Sequence, residues 1–145
     1  ATYIGGDYHH PKTRFPGSGG ANGIASFVNT IIMMQHEKRR FVPDMAYITS
    51  PGWLKGGNSR AEAGLPTNRG PMAVVTDLGV MKFDEEIKRM YLYGYYPSTT
   101  PEEVQANTGF ELDVSRAVRL EEPDEDSIHL LRTVVDPTGI FLVKE

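Results

Sequence analysis

Residues 71–96, "PMAVVTDLGVMKFDEEIKRMYLYGYY", place two apolar stretches on either side of a charged segment. Ala73–Phe83 reads as one strand, Asp84–Arg89 as its turn, and Met90–Tyr96 as the returning strand of an antiparallel hairpin. Tyr91, Tyr93 and Tyr95 alternate onto one face of the returning strand, the pattern of a packed or subunit-facing surface more than of a stacking platform. Upstream, Thr30–Gln35 ("TIIMMQ") is a short apolar run followed by charge and reads as a buried strand. Met45–Thr49 ("MAYIT") reads as another strand.

Helical signals lie between and after these strands. Asn22 is a fair N-cap for a short helix near Gly23–Val28. Thr100 begins a capping box with Pro101 at the first helical position and Glu103 three residues after the cap, and Gly109 is the expected stop. A last helix begins near Asp124 with acids in its first turn, shows Ile128, Leu131 and Val135 on its apolar face, and ends at Asp136-Pro137. The acidic run Glu121–Asp126 is therefore a helix start and not a metal site. Strands separated by helices and long loops, with one hairpin among them, predict an α/β fold: an open mixed sheet with flanking helices.

The 145 residues suffice for one domain, taken as residues 1–145. The absence of cysteine excludes a disulfide framework and a thiolate zinc site, and fits a reducing compartment. The longest clean apolar run is Ile31–Met34, far short of the ~20 residues of a membrane span, and no signal peptide is visible. The expectation is a cytoplasmic protein with neither a membrane nor a nucleic-acid partner. The chain opens on "ATYIGGDY" without an initiating Met, so it is expected to be a piece of something longer. Net charge is −4, unevenly spread: residues 1–60 sum to +4 and residues 61–145 to −8. The basic half suits an anionic ligand; equally, the two halves pack together and the asymmetry only orients subunits.

That basic half contains Phe15–Ile24, "FPGSGGANGI", four of whose ten residues are glycine. A P-loop would need Gly-Lys-Ser/Thr, and here the glycines lead into Ala21-Asn22. The dinucleotide fingerprint fails too, because Gly17 and Gly19 are followed by Asn at position 22. Consecutive glycines before a helix still aim free N–H groups and a helix N-terminus at one spot, which suits a phosphate or an oxyanion. The other reading is a tight turn in which glycine serves only φ > 0. Spacing does not choose between them.

Other candidates are weaker. His36–Phe41 ("HEKRRF") could meet phosphate, but reads first as a solvated surface run. His9 and His10, adjacent on an extended segment, point to opposite faces and do not readily share an ion with Asp7. Ser18 sits in Gly-Ser-Gly, too short for a nucleophile elbow. Glu37, Asp77 and Glu111 are scattered. Pro51–Gly57 and Ala63–Pro71 bound an irregular excursion, too long for a simple connector. Ser50, Pro51, Gly52 and Trp53 follow a strand, where open α/β sheets place ligands, and are candidate site-lining residues.

Taken in order, "GDYHHPKTRFPGSGGANGIA", "NTIIMMQHEKRRF", "ITSPGW", "VVTDLGVMKFDEEIKRMYL" and "EVQANTGFELDVS" closely resemble the β subunits of glutaconate CoA-transferases, in family I of the CoA-transferases. The similarity runs from about Gly6 to Leu142 and covers the carboxyl-terminal part of that subunit. It implies a NagB/RpiA-like sheet, incomplete at its N-terminus. It also implies a mechanism: a glutamate attacks an acyl-CoA thioester, forms an anhydride and then a glutamyl-CoA thioester, and CoA passes to a second acid such as acetate. Coenzyme A is then a substrate and no cofactor is permanently bound.

The family's Gly-x-Gly-Gly-Ala loop falls on Gly17–Ala21. Gly19, Gly20 and Ala21 become oxyanion donors through their backbone amides, with Ser18 and Asn22 beside the substrate. The family's nucleophile lies in a Glu-Ser-Gly or Glu-Asn-Gly motif that these residues lack. It is expected from the N-terminal part of the β subunit or another chain, with an α subunit as partner. Relatives of the same fold that hydrolyse CoA thioesters or decarboxylate glutaconyl-CoA lack or replace that glutamate, so both reactions stay open. A non-catalytic assembly subunit, suggested by the tyrosine stripe, is the third reading.

Overall fold

The computed structural model describes residues 3–7, 9–45 and 48–140. Strands β1 (Tyr3–Gly6) and β2 (Pro11–Arg14) form an antiparallel pair. Asp7 closes the turn between them, its Oδ1 accepting from the His9 and His10 amides at 2.8 and 2.9 Å. Helix α1 (Gly19–Phe27) follows and leads into β3 (Thr30–Met33). A long excursion carries α2 (Ser59–Glu62) before β4 (Pro71–Val75), β5 (Gly79–Phe83), β6 (Met90–Tyr95), α3 (Pro101–Ala106), β7 (Val118–Arg119) and α4 (Glu125–Leu130).

The larger sheet has the order β3-β4-β5-β6-β7. The outer pairs β3–β4 and β6–β7 are parallel, and the pairs between them are antiparallel. The expected open mixed sheet is thus borne out. Val74 pairs with Met81, and Met81 with Leu92, so these three stand in a row on one face. With Phe41, Val104 of α3 and Leu112 they form the buried core. The row Ala73, Lys82, Tyr91 takes the opposite face. There Arg116 lies 3.9 Å from the Tyr91 ring centroid, Lys82 Nζ lies 3.4 Å from that of Tyr93, and cations cover this part of the tyrosine stripe.

Several boundaries differ from expectation. The predicted strand 73–83 is two strands, because the Thr76 hydroxyl accepts from the Leu78 and Gly79 amides, each at 3.2 Å, and turns the chain. Gly79 then lies so close to β6 that a Cβ would sit 2.5 Å from Gly94 O. The capping box at Thr100 is present, with its Oγ1 accepting from Glu103 N at 3.2 Å. Asn107 rather than Gly109 caps that helix. Gly109 serves a close approach instead, donating to Phe41 O at 2.7 Å. Asp124 caps α4 through Ser127 N, and the last turn widens into a π-helical turn, Leu131–Val135, ending at Asp136. Met45, Ile48 and Thr49 carry no strand, and the rest of that predicted strand, Ala46 and Tyr47, lies outside the described residues. The strand read as buried, β3, is at the open edge of the sheet, with Ile31 64% and Met33 80% exposed.

Candidate functional site

The glycine-rich segment does not precede its helix; it forms the first turn. Helix α1 begins at Gly19, with Ser18 at the N-cap, and Asn22 is inside the helix rather than its cap. The first intrahelical bond runs from Asn22 N to Ser18 O at 2.9 Å. The Ser18 side chain makes no capping bond. No acceptor among the described residues meets the amides of Gly19, Gly20 and Ala21, so three N–H groups emerge together at the positive end of the helix.

The glycines of this segment serve neither a left-handed backbone nor a close approach among the described residues. Gly17, Gly19, Gly20 and Gly23 have no positive φ, and a Cβ at any of them would meet nothing within 4 Å. The tight-turn reading therefore fails. Glycine inside a helix costs roughly 0.5–1 kcal/mol relative to alanine, and neither backbone conformation nor packing among the described residues requires it here. What a bare backbone does provide is room for an atom to reach the amides.

Two contacts hold α1 against the segment after residue 48. Asn22 Nδ2 donates to Thr49 O at 2.7 Å, which brings Ser50 next to the helix's first turns. At the other end, Arg60 of α2 donates from Nη2 to Ser26 O at 2.8 Å and from Nη1 to Gly52 O at 2.7 Å. The Trp53 indole donates to Pro71 O at 2.8 Å and lies between Arg60 and Lys88, 5.5 and 4.8 Å from the ring centroid. Among the predicted lining residues, Ser50 is exposed, Pro51 is buried, and Gly52 and Trp53 are engaged in this packing.

A surface cavity of about 630 Å³ opens beside Trp53, between the 53–56 loop and the turn before β6; Lys55, Lys88, Arg89 and Phe110 also line it, and no residue of α1 does.

Two residues were missed at the level of sequence. Arg60 is only 2% exposed, and burial pushes its guanidinium below the usual arginine range. Its only sequence signal is a basic residue within an excursion otherwise rich in glycine. His36, read as part of a solvated run, is buried and stacks on Phe41 with ring centroids 4.1 Å apart. The cations that follow it are on the surface, with Arg39 and Arg40 paired to Glu37. The Arg39 hydrogen bond is the main reason the Glu37 carboxyl titrates below its ordinary value.

The coenzyme A transferase family model matches residues 1–107. The β subunit of the glutaconate CoA-transferase of Acidaminococcus fermentans is 62% identical over 137 residues, covering 94% of this chain and 52% of the relative. The corresponding subunit of the 3-oxoadipate CoA-transferase of Pseudomonas knackmussii is 36% identical over 135 residues, covering 92% of this chain and 52% of the relative. The solved structure of glutaconate coenzyme A-transferase from Acidaminococcus fermentans superposes with a TM-score of 0.87 at 59% identity, covering 99% of this chain and 55% of the matched one. The chain spans about half the length of the curated relatives it matches.

Proposed function

The chain belongs to the coenzyme A transferase family, and from that premise we propose that it forms part of a β subunit that moves CoA between an acyl-CoA and a carboxylic acid. The acyl group is glutaconyl or a related dicarboxylyl group, and the acceptor is an acid such as acetate. The high identity to a glutaconate CoA-transferase subunit supports that choice.

In this reading a glutamate carboxylate outside these residues adds to the thioester carbonyl. The electron pair of the C=O moves onto oxygen, the CoA thiolate leaves, and an acyl-glutamyl anhydride remains. The thiolate then attacks the glutamyl carbonyl, which releases the first acid and leaves a glutamyl-CoA thioester. The second acid reverses the sequence. Each addition places negative charge on a carbonyl oxygen, and a fixed cluster of N–H donors lowers the barrier because it needs no reorganisation when the charge forms. The amides of Gly19, Gly20 and Ala21 are that cluster, with Ser18, Asn22 and Ser50 beside the acyl group and Pro51, Gly52 and Trp53 behind them. CoA enters as a substrate, and an α subunit with the remainder of the β subunit completes the enzyme, which we place in the cytoplasm.

The observation that carries the reading is the conjunction at α1: the amides of Gly19, Gly20 and Ala21 have no acceptor among the described residues, and nothing among those residues requires glycine at positions 19 and 20. The test is acetate-dependent CoA transfer from glutaconyl-CoA by the complete enzyme containing this chain. Formation of acetyl-CoA with trapping of a glutamyl-CoA thioester is the expected result. A folded, assembled enzyme that transfers nothing overturns it.

A further inference from the structure

We infer that Arg60 is the positioning residue of the oxyanion loop: its guanidinium seats α1 and, through α1, sets where the amides of Gly19, Gly20 and Ala21 point. The inference rests on the oxyanion reading of those amides.

Arg60 is almost wholly buried, yet no carboxylate among the described residues pairs with it. All its hydrogen bonds run to main-chain carbonyls. Nη2 donates to Ser26 O at 2.8 Å, Nη1 to Gly52 O at 2.7 Å and to Ala25 O at 3.4 Å, and Nε to Pro66 O at 3.0 Å. Ala25 and Ser26 lie in the last turn of α1, where carbonyls lack intrahelical partners and the helix end is negative. A single planar group thus ties the C-terminal turn of α1 to the 52 loop and the 66 loop at once. The rigid fork of an arginine does this; the compact ammonium of a lysine does not.

The tie continues to the sheet. The Arg60 guanidinium carbon lies over the Trp53 ring, 5.5 Å from its centroid, and the indole N–H is bonded to Pro71 O at the start of β4. Asn22 meets Thr49 O at the other end of the same short segment. Helix α1 is therefore clamped at two points against residues 49–52, and Arg60 is the deeper clamp. Leverage makes this matter. Ser26 and Gly20 are six residues apart, about 9 Å along the axis at 1.5 Å per residue. A tilt of only a few degrees at the Arg60 end moves the amides by a good part of an ångström, and a misplacement of about 1 Å can cost a hundredfold in rate.

The experiment uses the complete enzyme and compares the parent with Arg60→Lys, Arg60→Ala and Gly20→Leu. Assembly is followed by sedimentation, and kcat and KM for acyl-CoA are measured with and without added methylguanidinium. The expected result is a fall in kcat of about tenfold to a hundredfold for both Arg60 variants, with KM changed by no more than about twofold and assembly intact. Methylguanidinium should restore kcat in Arg60→Ala and not in Gly20→Leu. If Gly20→Leu is slow while both Arg60 variants keep the parental kcat, the positioning role is overturned and the oxyanion reading stands. If Gly20→Leu is as fast as the parent, the oxyanion reading itself fails. Loss of assembly in both Arg60 variants, without rescue, makes Arg60 a purely structural residue and overturns the inference.

Discussion

The side-chain amide of Asn22 reaches across from α1 to the carbonyl oxygen of Thr49, 2.7 Å away, although the two residues are 27 apart in sequence. This bond joins the first turns of the glycine-rich helix to the segment that carries Ser50. Such a bond contributes about 0.5–1.5 kcal/mol net. Replacing Asn22 by Ala loses it but gains several tenths of a kcal/mol of helix propensity. The stability of Asn22→Ala should therefore stay close to the parent's, while kcat for CoA transfer falls several-fold because the 49–50 segment loses its hold on the site. A parental kcat in the variant would separate this contact from the reaction.

The glycines of α1 predict opposite signs for stability and for turnover. Gly19→Ala and Gly20→Ala meet no neighbouring atom and need no change of backbone. Each should raise the stability of the protein, by up to about 1 kcal/mol. Gly20→Leu keeps the helix but places bulk over the amides, and should lower kcat about a hundredfold to a thousandfold, the loss typical of one oxyanion donor. Thermal melts and initial rates on the same preparations check both halves. A destabilised Gly20→Ala would show that the glycine serves the fold after all.

These positions also show what local pattern can and cannot reveal. The hairpin was legible because Met81 and Leu92 alternate with half-exposed neighbours on either side of the 84–89 turn, and cross-strand pairing obeys that period of two. Thr100 was legible as a cap because a cap bond depends on residues three apart, and the start of α4 near Asp124 was legible from the acids of its first turn. The break at Thr76 was not, since a hydroxyl closing a turn within "VVTDLGV" leaves the apolar pattern continuous. Gly109 was misread because its reason, contact with Phe41 O, lies 68 positions away in the chain. The amide-rich turn was visible as glycines, but the contacts that seat α1 run to main-chain carbonyls, from Asn22 to Thr49 O and from Arg60 to Ser26 O, and leave no mark in composition.

The buried His36 gives the fold a pH dependence with a definite sign. The buried His36 ring sits between two hydroxyls, with Nδ1 3.1 Å from Thr76 Oγ1 and Nε2 3.0 Å from Thr108 Oγ1. Burial pushes its pKa down and outweighs the opposing pull of Asp77. The unfolded chain, with a histidine pKa near 6.5, then binds more protons than the folded one in the window between the two values. The His36 contribution is fully present above about pH 6.5 and is lost as pH falls through that window toward the folded-state pKa. Melting temperature measured from about pH 7.5 down to pH 5 should decline, and His36→Gln should flatten this part of the profile. An unchanged slope in His36→Gln would assign the acid sensitivity to other groups.

The exposed edge of the sheet carries a prediction for the complete enzyme proposed above. Thr30 N and Met34 N both donate toward the β4 side, to Gly70 O and Val75 O at 3.1 Å each. By alternation along the strand, the amides of Ile31 and Met33 face away from β4. The same two side chains are 64% and 80% exposed, and Ile24 and Phe27 of the preceding helix are 57% and 64% exposed. An open apolar edge of this kind pairs with another chain or aggregates. In the complete enzyme, whose relatives are about twice the length of this chain, the Ile31 and Met33 amides should be strongly protected from hydrogen exchange. Met33→Lys should disrupt assembly while costing the 145-residue chain alone little, because Met33 is mostly solvated there. Rapid exchange at both amides in the assembled enzyme would mean that β3 remains an edge, and Met33→Lys should then be silent.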